Sequence, residues 1–247
     1  MSMWKPGTKA PGVFAIERAG DERSDIVINK NKHLPLTTQR QRLPIYTNRN
    51  HILYLVENYR TVILVGETGC GKTTQVPQYL FEAGWAAGER LVGCTQPRRV
   101  AVQTVSARVA EEMGVTLGAE VGYTIRFDDK SDRKRTRVRF LTDGILMREM
   151  MGDPLLSRYS VIMVDEAHER SLCTDMLLGL LKKVQKRRKE LRLIVSSATL
   201  DAEAFKLFFL GDKPESSPTA GKPGRVAVLT MEAGRMHPVD VYYLEQV

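Results

Sequence analysis

The chain predicts an α/β domain built on a largely parallel β-sheet with helices on both faces. Three observations carry that prediction. Short apolar runs alternate with helix-like segments from residue 61 to residue 230. The first run opens onto a glycine-rich turn that reads straight into a helix. Two later runs end abruptly in acidic or hydroxyl-bearing residues, as expected where parallel strands deliver ligand-binding groups from their carboxyl ends.

Residues 1–40 lack sustained periodicity and are studded with Pro, Gly, Lys and Asp, so a flexible extension is expected there, with one domain over 41–247. Between Gln39 and Tyr59 the apolar positions Ile52, Leu53, Leu55 and Val56 recur at helical spacing and predict a helix leading into the first strand. Strands are then expected at 61–65, 91–94, 121–125, 137–141, 160–164, 192–196 and 226–230. Helices are expected at 72–83, 98–113, 144–151, 173–189 and 201–209. Such alternation implies strand–helix–strand units and hence parallel pairing. Pro77 should kink the helix over 72–83 or limit its hydrogen bonding. The stretch 211–225, rich in Pro, Ser, Gly and Lys, reads as a surface insertion, and Val239 to Leu244 as a last strand.

The residues from Val62 to Thr73 carry the chemistry. Gly66, Glu67, Thr68, Gly69, Cys70, Gly71, Lys72 and Thr73 complete the phosphate-binding pattern G-x-x-x-x-G-K-[ST] directly after an apolar run. Glycines let the backbone curl so that successive N–H groups face one anion, and the following helix points its positive end at the same place. Lys72 can reach the outer phosphates, the Thr73 hydroxyl is placed to ligate Mg2+, and Thr74 follows in the first turn. A nucleoside triphosphate, ATP with Mg2+, is the expected cofactor.

Two further strand ends should converge there. Val161 to Val164 run into Asp165-Glu166-Ala167-His168, and Leu193 to Val195 into Ser196-Ser197-Ala198-Thr199. Asp165, directly after a buried strand, suits Mg2+, usually through water; Glu166 beside it is a further candidate for the metal and the candidate to orient or deprotonate an attacking water. An Asp-Glu pair at a strand end also reads as a helix N-cap, and the upstream phosphate loop tips the reading toward catalysis.

Composition bounds the rest. Charged residues at 27% and hydrophobic at 43% read as globular, and no run approaches the roughly 18 apolar residues of a membrane span. The N-terminus carries no apolar core before a small-residue cleavage site, so secretion is not expected. Cys70, Cys94 and Cys173 lack C-x-x-C spacing, which fits free thiols in an intracellular reducing compartment and no structural zinc. The four histidines are dispersed and predict no metal site. A net charge of +8 favours a polyanionic partner without identifying it.

With these motifs in place the chain resembles the DEAH-box family of RNA-dependent ATPases and helicases. The likeness rests on Gly66 to Thr73, Asp165-Glu166-Ala167-His168 and Ser197-Ala198-Thr199. Thr95-Gln96-Pro97-Arg98-Arg99-Val100-Ala101 and Thr142-Asp143-Gly144 are similar to two RNA-contacting motifs of that family. It runs from about Leu43 to Tyr243 and is nearest to members associated with pre-mRNA splicing, which implies a nuclear location.

The resemblance implies a RecA-like P-loop NTPase domain and roles for single residues. Ser197 and Thr199 would couple nucleotide state to RNA grip, and His168 would report that state to a second RecA-like domain. Arg98, Arg99, Arg126 and Thr142 would lie along single-stranded RNA, and Arg108 would stack on the nucleotide base. Each has a plainer reading. Arg98 and Arg99 could open a solvated helix, Arg108 could sit solvated on a helix face, and Phe127 beside Arg126 could fill the core. The basic clusters Lys130 to Arg139 and Lys182 to Lys189 read as solvated faces.

The family's motor needs two such domains, and its arginine-finger motif is absent here, so the chain reads as the first domain of a longer protein. An activator protein is compatible with that reading. An isolated first domain is expected to bind nucleotide, hydrolyse it slowly and unwind nothing. A nucleotide-gated RNA- or protein-binding switch is the main rival, and a different P-loop enzyme the second.

Overall fold

The computed structural model describes residues 33–198, 202–211, 216–219 and 223–231. The readings for residues 1–32, for Thr199 and for the strand at 239–244 lie outside the described residues. The chain opens with α1 (Leu36–Gln41), a single-turn 3-10 helix over Pro44–Asn48 and α2 (Arg49–Asn58). β1 (Tyr59–Val65) leads into α3 (Lys72–Glu82), and β2 (Leu91–Gln96) into α4 (Arg99–Met113). β3 (Val121–Ile125) turns back as the short β4 (Asp128–Lys130), followed by β5 (Val138–Thr142) and α5 (Asp143–Gly152). β6 (Tyr159–Val164) precedes a 3-10 turn over Ala167–Glu169 and α6 (Leu172–Arg187). β7 (Arg192–Ser197), α7 (Ala202–Leu210) and β8 (Gly224–Thr230) are the last described elements.

One eight-stranded sheet runs in the order β4-β3-β5-β2-β6-β7-β1-β8. Every neighbouring pair is parallel except β3 with β4. Strand alternation divides the core between the two faces. Val62, Leu64, Val161 and Met163 pack with Ile52, Val76 and Val102, on the side of α2, α3 and α4. Ile63, Val65, Ile162 and Val164 pack with Leu146, Leu177, Leu181 and Phe205, on the side of α5, α6 and α7. Both faces are buried, which is why these strands read as continuous apolar runs. The sheet and its flanking helices are the RecA-like α/β architecture.

Register aligns the functional strand ends. Val65 pairs with Ser197, Val164 with Thr95, and Gln96 with Thr142, so the residues that follow these pairs emerge along one edge. β1, which carries the glycine-rich turn, lies between β7 and β8, while its sequence successor β2 lies beyond β6. That change of direction is where open sheets leave a crevice.

The structure corrects several expectations. The single helix expected from Gln39 to Tyr59 is divided, because Pro44 fixes its own backbone and restricts Leu43 to an extended conformation (ψ 139°). Residues 36–40, placed in the flexible extension, are helical instead, within Leu36–Gln41. At Pro77 the second of the two expected outcomes is seen: α3 continues, with the hydrogen bond to the Thr73 carbonyl removed. β4 was not expected. Its Asp-Asp-Lys sequence carries no apolar signal, and its two-residue turn, Arg126-Phe127, lacks the glycine that marks tight hairpins.

The basic clusters are not wholly solvated either. Arg139 is 13% exposed and pairs with Glu149 at 2.7 Å. Arg188 is buried and donates to the carbonyls of Leu155, Leu156 and Tyr159. Phe127 is 91% exposed with φ 71°, so it fills no core.

Candidate active site

The glycine-rich loop leaves β1 held by hydrogen bonds on both sides. The Gly66 N–H donates to the Ser197 carbonyl at 3.1 Å, and the Ile45 N–H donates to the Cys70 carbonyl at 3.2 Å. Gly69 and Gly71 hold φ of 85° and 101°, a region that disfavours side chains. At Gly71 a Cβ would also lie 3.1 Å from Ile45 and Leu43. Lys72 then starts α3, 6% exposed, and its ammonium donates to the Glu67 carbonyl at 2.9 Å and to the Gly66 carbonyl. The loop thus wraps its own lysine. Phosphate oxygens entering the curl would compete for that ammonium through stronger, charge-assisted bonds.

Asp165 meets α3 from across the sheet. It is fully buried, and its own N–H donates to the Thr95 carbonyl at 3.2 Å. Its Oδ2 accepts from the Gln96 amide at 2.6 Å and from the Thr73 hydroxyl. Its Oδ1 is buried with no partner among the described residues. An unpartnered carboxylate oxygen beside a threonine hydroxyl is a demanding arrangement to leave dry, and it suits a hard cation. Among the described residues no group of three or more His, Cys, Asp or Glu could hold a metal by itself. Mg2+ fits this better than most metals, because it keeps waters and takes ligands from substrate phosphates.

Glu166 follows with φ 52°, a left-handed conformation uncommon outside glycine and often found where function constrains the backbone. Burial, then the neighbouring Asp165 charge, push its carboxyl above the ordinary carboxylate range, with His168 and Lys72 opposing. His168 Nε2 lies 3.4 Å from Glu166 Oε2, and its Nδ1 accepts from the Ala198 N–H at 3.2 Å. With Nδ1 accepting, Nε2 is the ring nitrogen left to donate toward Glu166. One imidazole therefore ties the acidic turn to the end of β7. Ser197 is buried and its carbonyl holds Gly66, so the loop and both later strand ends form one bonded unit.

Most other expected site residues lie outside this cluster. Thr74 remains in it, donating from its hydroxyl to the Gly71 carbonyl at 3.3 Å. Arg98 is exposed and pairs with Glu169 at 3.0 Å. Arg99 is exposed at the start of α4, and Thr142 caps α5 without a side-chain hydrogen bond. Arg126 stacks over its neighbour Phe127 at 4.8 Å, also exposed. Arg108 is not free on a helix face. It pairs with Glu111 at 3.2 Å and with the buried Glu112 at 2.8 Å.

Sequence reading missed two sets of residues. Gln96, the last residue of β2, is the neutral donor that holds Asp165. The buried Glu112 joins Arg108 on α4 to Gln75 and Gln78 on α3, at 2.8 and 2.7 Å, and Gln75 also accepts from Arg40 of α1 at 3.0 Å. The only signal for Glu112 was its i,i+4 spacing from Arg108.

Known proteins carry the same pattern. The AAA domain family matches residues 56–203, more than half of the chain. A human protein named "Probable ATP-dependent RNA helicase DHX35" is 57% identical over 99% of this chain and 35% of its own length. Its Caenorhabditis elegans homologue is 57% identical over 90% of this chain and 30% of its own length. A Schizosaccharomyces pombe protein named "Putative pre-mRNA-splicing factor ATP-dependent RNA helicase C20H4.09" is 44% identical over 86% of this chain and 31% of its own. The chain spans about a third of the length of these curated relatives. A complete phosphate loop bonded to the Asp-Glu-Ala-His turn and to the strand end at Ser197-Ala198, with identity of this extent, places the chain in the DEAH-box family of P-loop NTPases.

Proposed function

We propose that this chain is the ATP-binding and hydrolysing motor domain of an RNA helicase, coupling Mg2+-dependent ATP hydrolysis to RNA binding and remodelling in pre-mRNA splicing. The observation that carries the reading is the meeting of Thr73 with the buried Asp165, whose second oxygen is left without a partner. Thr73 and Asp165 would hold Mg2+, which would neutralise charge on the phosphates when bound. Lys72 would move from the loop carbonyls to the outer phosphates. Glu166, with its raised proton affinity, suits a base that takes a proton from water as it attacks, and His168 holds it in place.

Splicing and a nuclear setting are supported by the names of the relatives alone. Single-stranded RNA would run along its backbone past Arg98, Arg99, Arg126 and Thr142, with phosphates as the main contacts. A second RecA-like domain would supply arginines to the transition state, worth on the order of 10³ to 10⁵ in rate in other NTPases. Slow turnover by residues 1–247 alone follows, and an activator protein acting on the longer protein is compatible with it. The test is a pair of variants in the full-length protein. Lys72→Ala should abolish nucleotide binding, and Glu166→Gln should bind MgATP normally and fail to turn it over. Normal hydrolysis by the glutamine variant would remove Glu166 from its role.

A further inference from the structure

At the opposite edge of the sheet, where the strands begin, lies a cavity of about 350 Å³. Its charged wall is made of Arg60 on β1, Arg225 on β8, and Lys182 and Lys186 on α6. None of the four makes an ion pair among the described residues. The Arg60 Nε and one terminal nitrogen of Arg225 are buried without a hydrogen-bond partner among the described residues. Phe209 and Leu210 supply an apolar side.

The cavity is built rather than frayed. Arg60 donates to the Gln185 carbonyl, and the Gln185 amide returns a bond to the Arg60 carbonyl at 2.8 Å. The Thr61 hydroxyl donates to Gln185 Oε1 at 3.1 Å. Lys182 donates to the Phe208 carbonyl and lies 4.5 Å from the Phe208 ring centre. These bonds hold Arg60 and Lys182 in place beside Arg225 and Lys186. Burial, then the Arg225 charge, depress the proton affinity of Arg60, with Glu190 opposing. Glu190 is itself bonded to Arg188 at 2.7 Å, so it does not neutralise the cavity.

Several cations gathered in a half-buried cavity repel one another, and buried N–H groups without acceptors are costly. An oxyanion would relieve both. The volume exceeds that of one phosphate group and falls in the usual range for small-molecule sites. We infer that this cavity binds a small soluble anion carrying two or more phosphate groups, at a site separate from the nucleotide loop. The two sites are set apart by β1, whose seven residues, at about 3.3 Å each, span roughly 20 Å. An RNA strand crossing the carboxyl-end surface would not reach this edge.

The test uses inorganic pyrophosphate, titrated calorimetrically at physiological salt into the full chain carrying Lys72→Ala, so that the phosphate loop is silent. One binding event is expected, weakened at least tenfold by Arg225→Gln combined with Lys186→Gln. Lys186→Glu alone, on an exposed position of α6, should weaken binding at least fivefold, and serves if the double variant folds poorly. Lys189→Gln, outside the cavity, should change nothing. Absence of binding, or binding indifferent to Arg225 and Lys186, would overturn the proposal. Displacement of pyrophosphate by a single-stranded RNA oligonucleotide would also overturn it, by assigning the cavity to RNA.

Discussion

Replacing Glu112 with glutamine is the most informative stability experiment this fold offers. The side chain is 4% exposed and its carboxylate accepts three side-chain bonds, from Arg108 at 2.8 Å, Gln75 at 2.8 Å and Gln78 at 2.7 Å. Glutamine preserves the volume but turns one acceptor into a donor. Whichever way the amide is turned, an N–H group faces either the Arg108 guanidinium or the two glutamine donors. The loss of one charge-assisted bond costs about 1.5–3 kcal/mol, and a buried donor left unmatched adds about 1–3 kcal/mol. Partial relaxation brings the sum to roughly 2–4 kcal/mol. At about 2–4 °C per kcal/mol for a domain of this size, Tm should fall by roughly 5–15 °C. Thermal unfolding followed by circular dichroism measures it. A Tm within about 1 °C of the parent would show that the network contributes nothing and that α3 and α4 are held by apolar packing alone.

Other outcomes follow from the same geometry. Lys72→Ala should weaken MgATP binding at least about 100-fold by calorimetry, since two charge-assisted contacts are worth roughly 3–6 kcal/mol together. In the full-length protein the ATPase rate should fall on acidification at a pH above the ordinary glutamate value of about 4.3, because Glu166 must be unprotonated and burial raises its proton affinity. Gly122→Ala would set a Cβ 2.5 Å from the Lys130 carbonyl oxygen, so β4 must shift, at a cost of about 1–3 kcal/mol in denaturant unfolding. Maleimide should label Cys173 rapidly and Cys94 not at all under native conditions, because Cys173 is exposed while Cys94 is buried and its thiol is pushed up by burial.

Much of the sheet was legible because its strands are buried on both faces. Runs such as Val161 to Val164 need no partner to be recognised, and their observed limits differ from expectation by a residue or two. The loop at Gly66 to Thr73 was legible because its chemistry is local. What escaped was long-range or polar. β4 is held by pairing with β3, and nothing in Asp128-Asp129-Lys130 announces that partner. Gln96 matters only because β2 lies beside β6, a neighbour not set by sequence order. Arg139 and Arg188 looked solvated because charge suggests water, yet each finds a carboxylate or carbonyls inside the fold. The division at Pro44 escapes a reading of apolar spacing, because the periodic positions Ile52 to Val56 all follow it.

One metal–triphosphate cluster gathered by three strand ends would unite the phosphate loop, Thr73, Asp165 and Glu166. A crystal structure of the chain with Mg2+ and a non-hydrolysable ATP analogue tests it directly. The account predicts the β-phosphate inside the curl from Gly66 to Thr73, Lys72 on the phosphates, and the metal beside Thr73 with Asp165 reaching it directly or through water. A nucleotide bound elsewhere, or a metal held without Thr73 or Asp165, would contradict it.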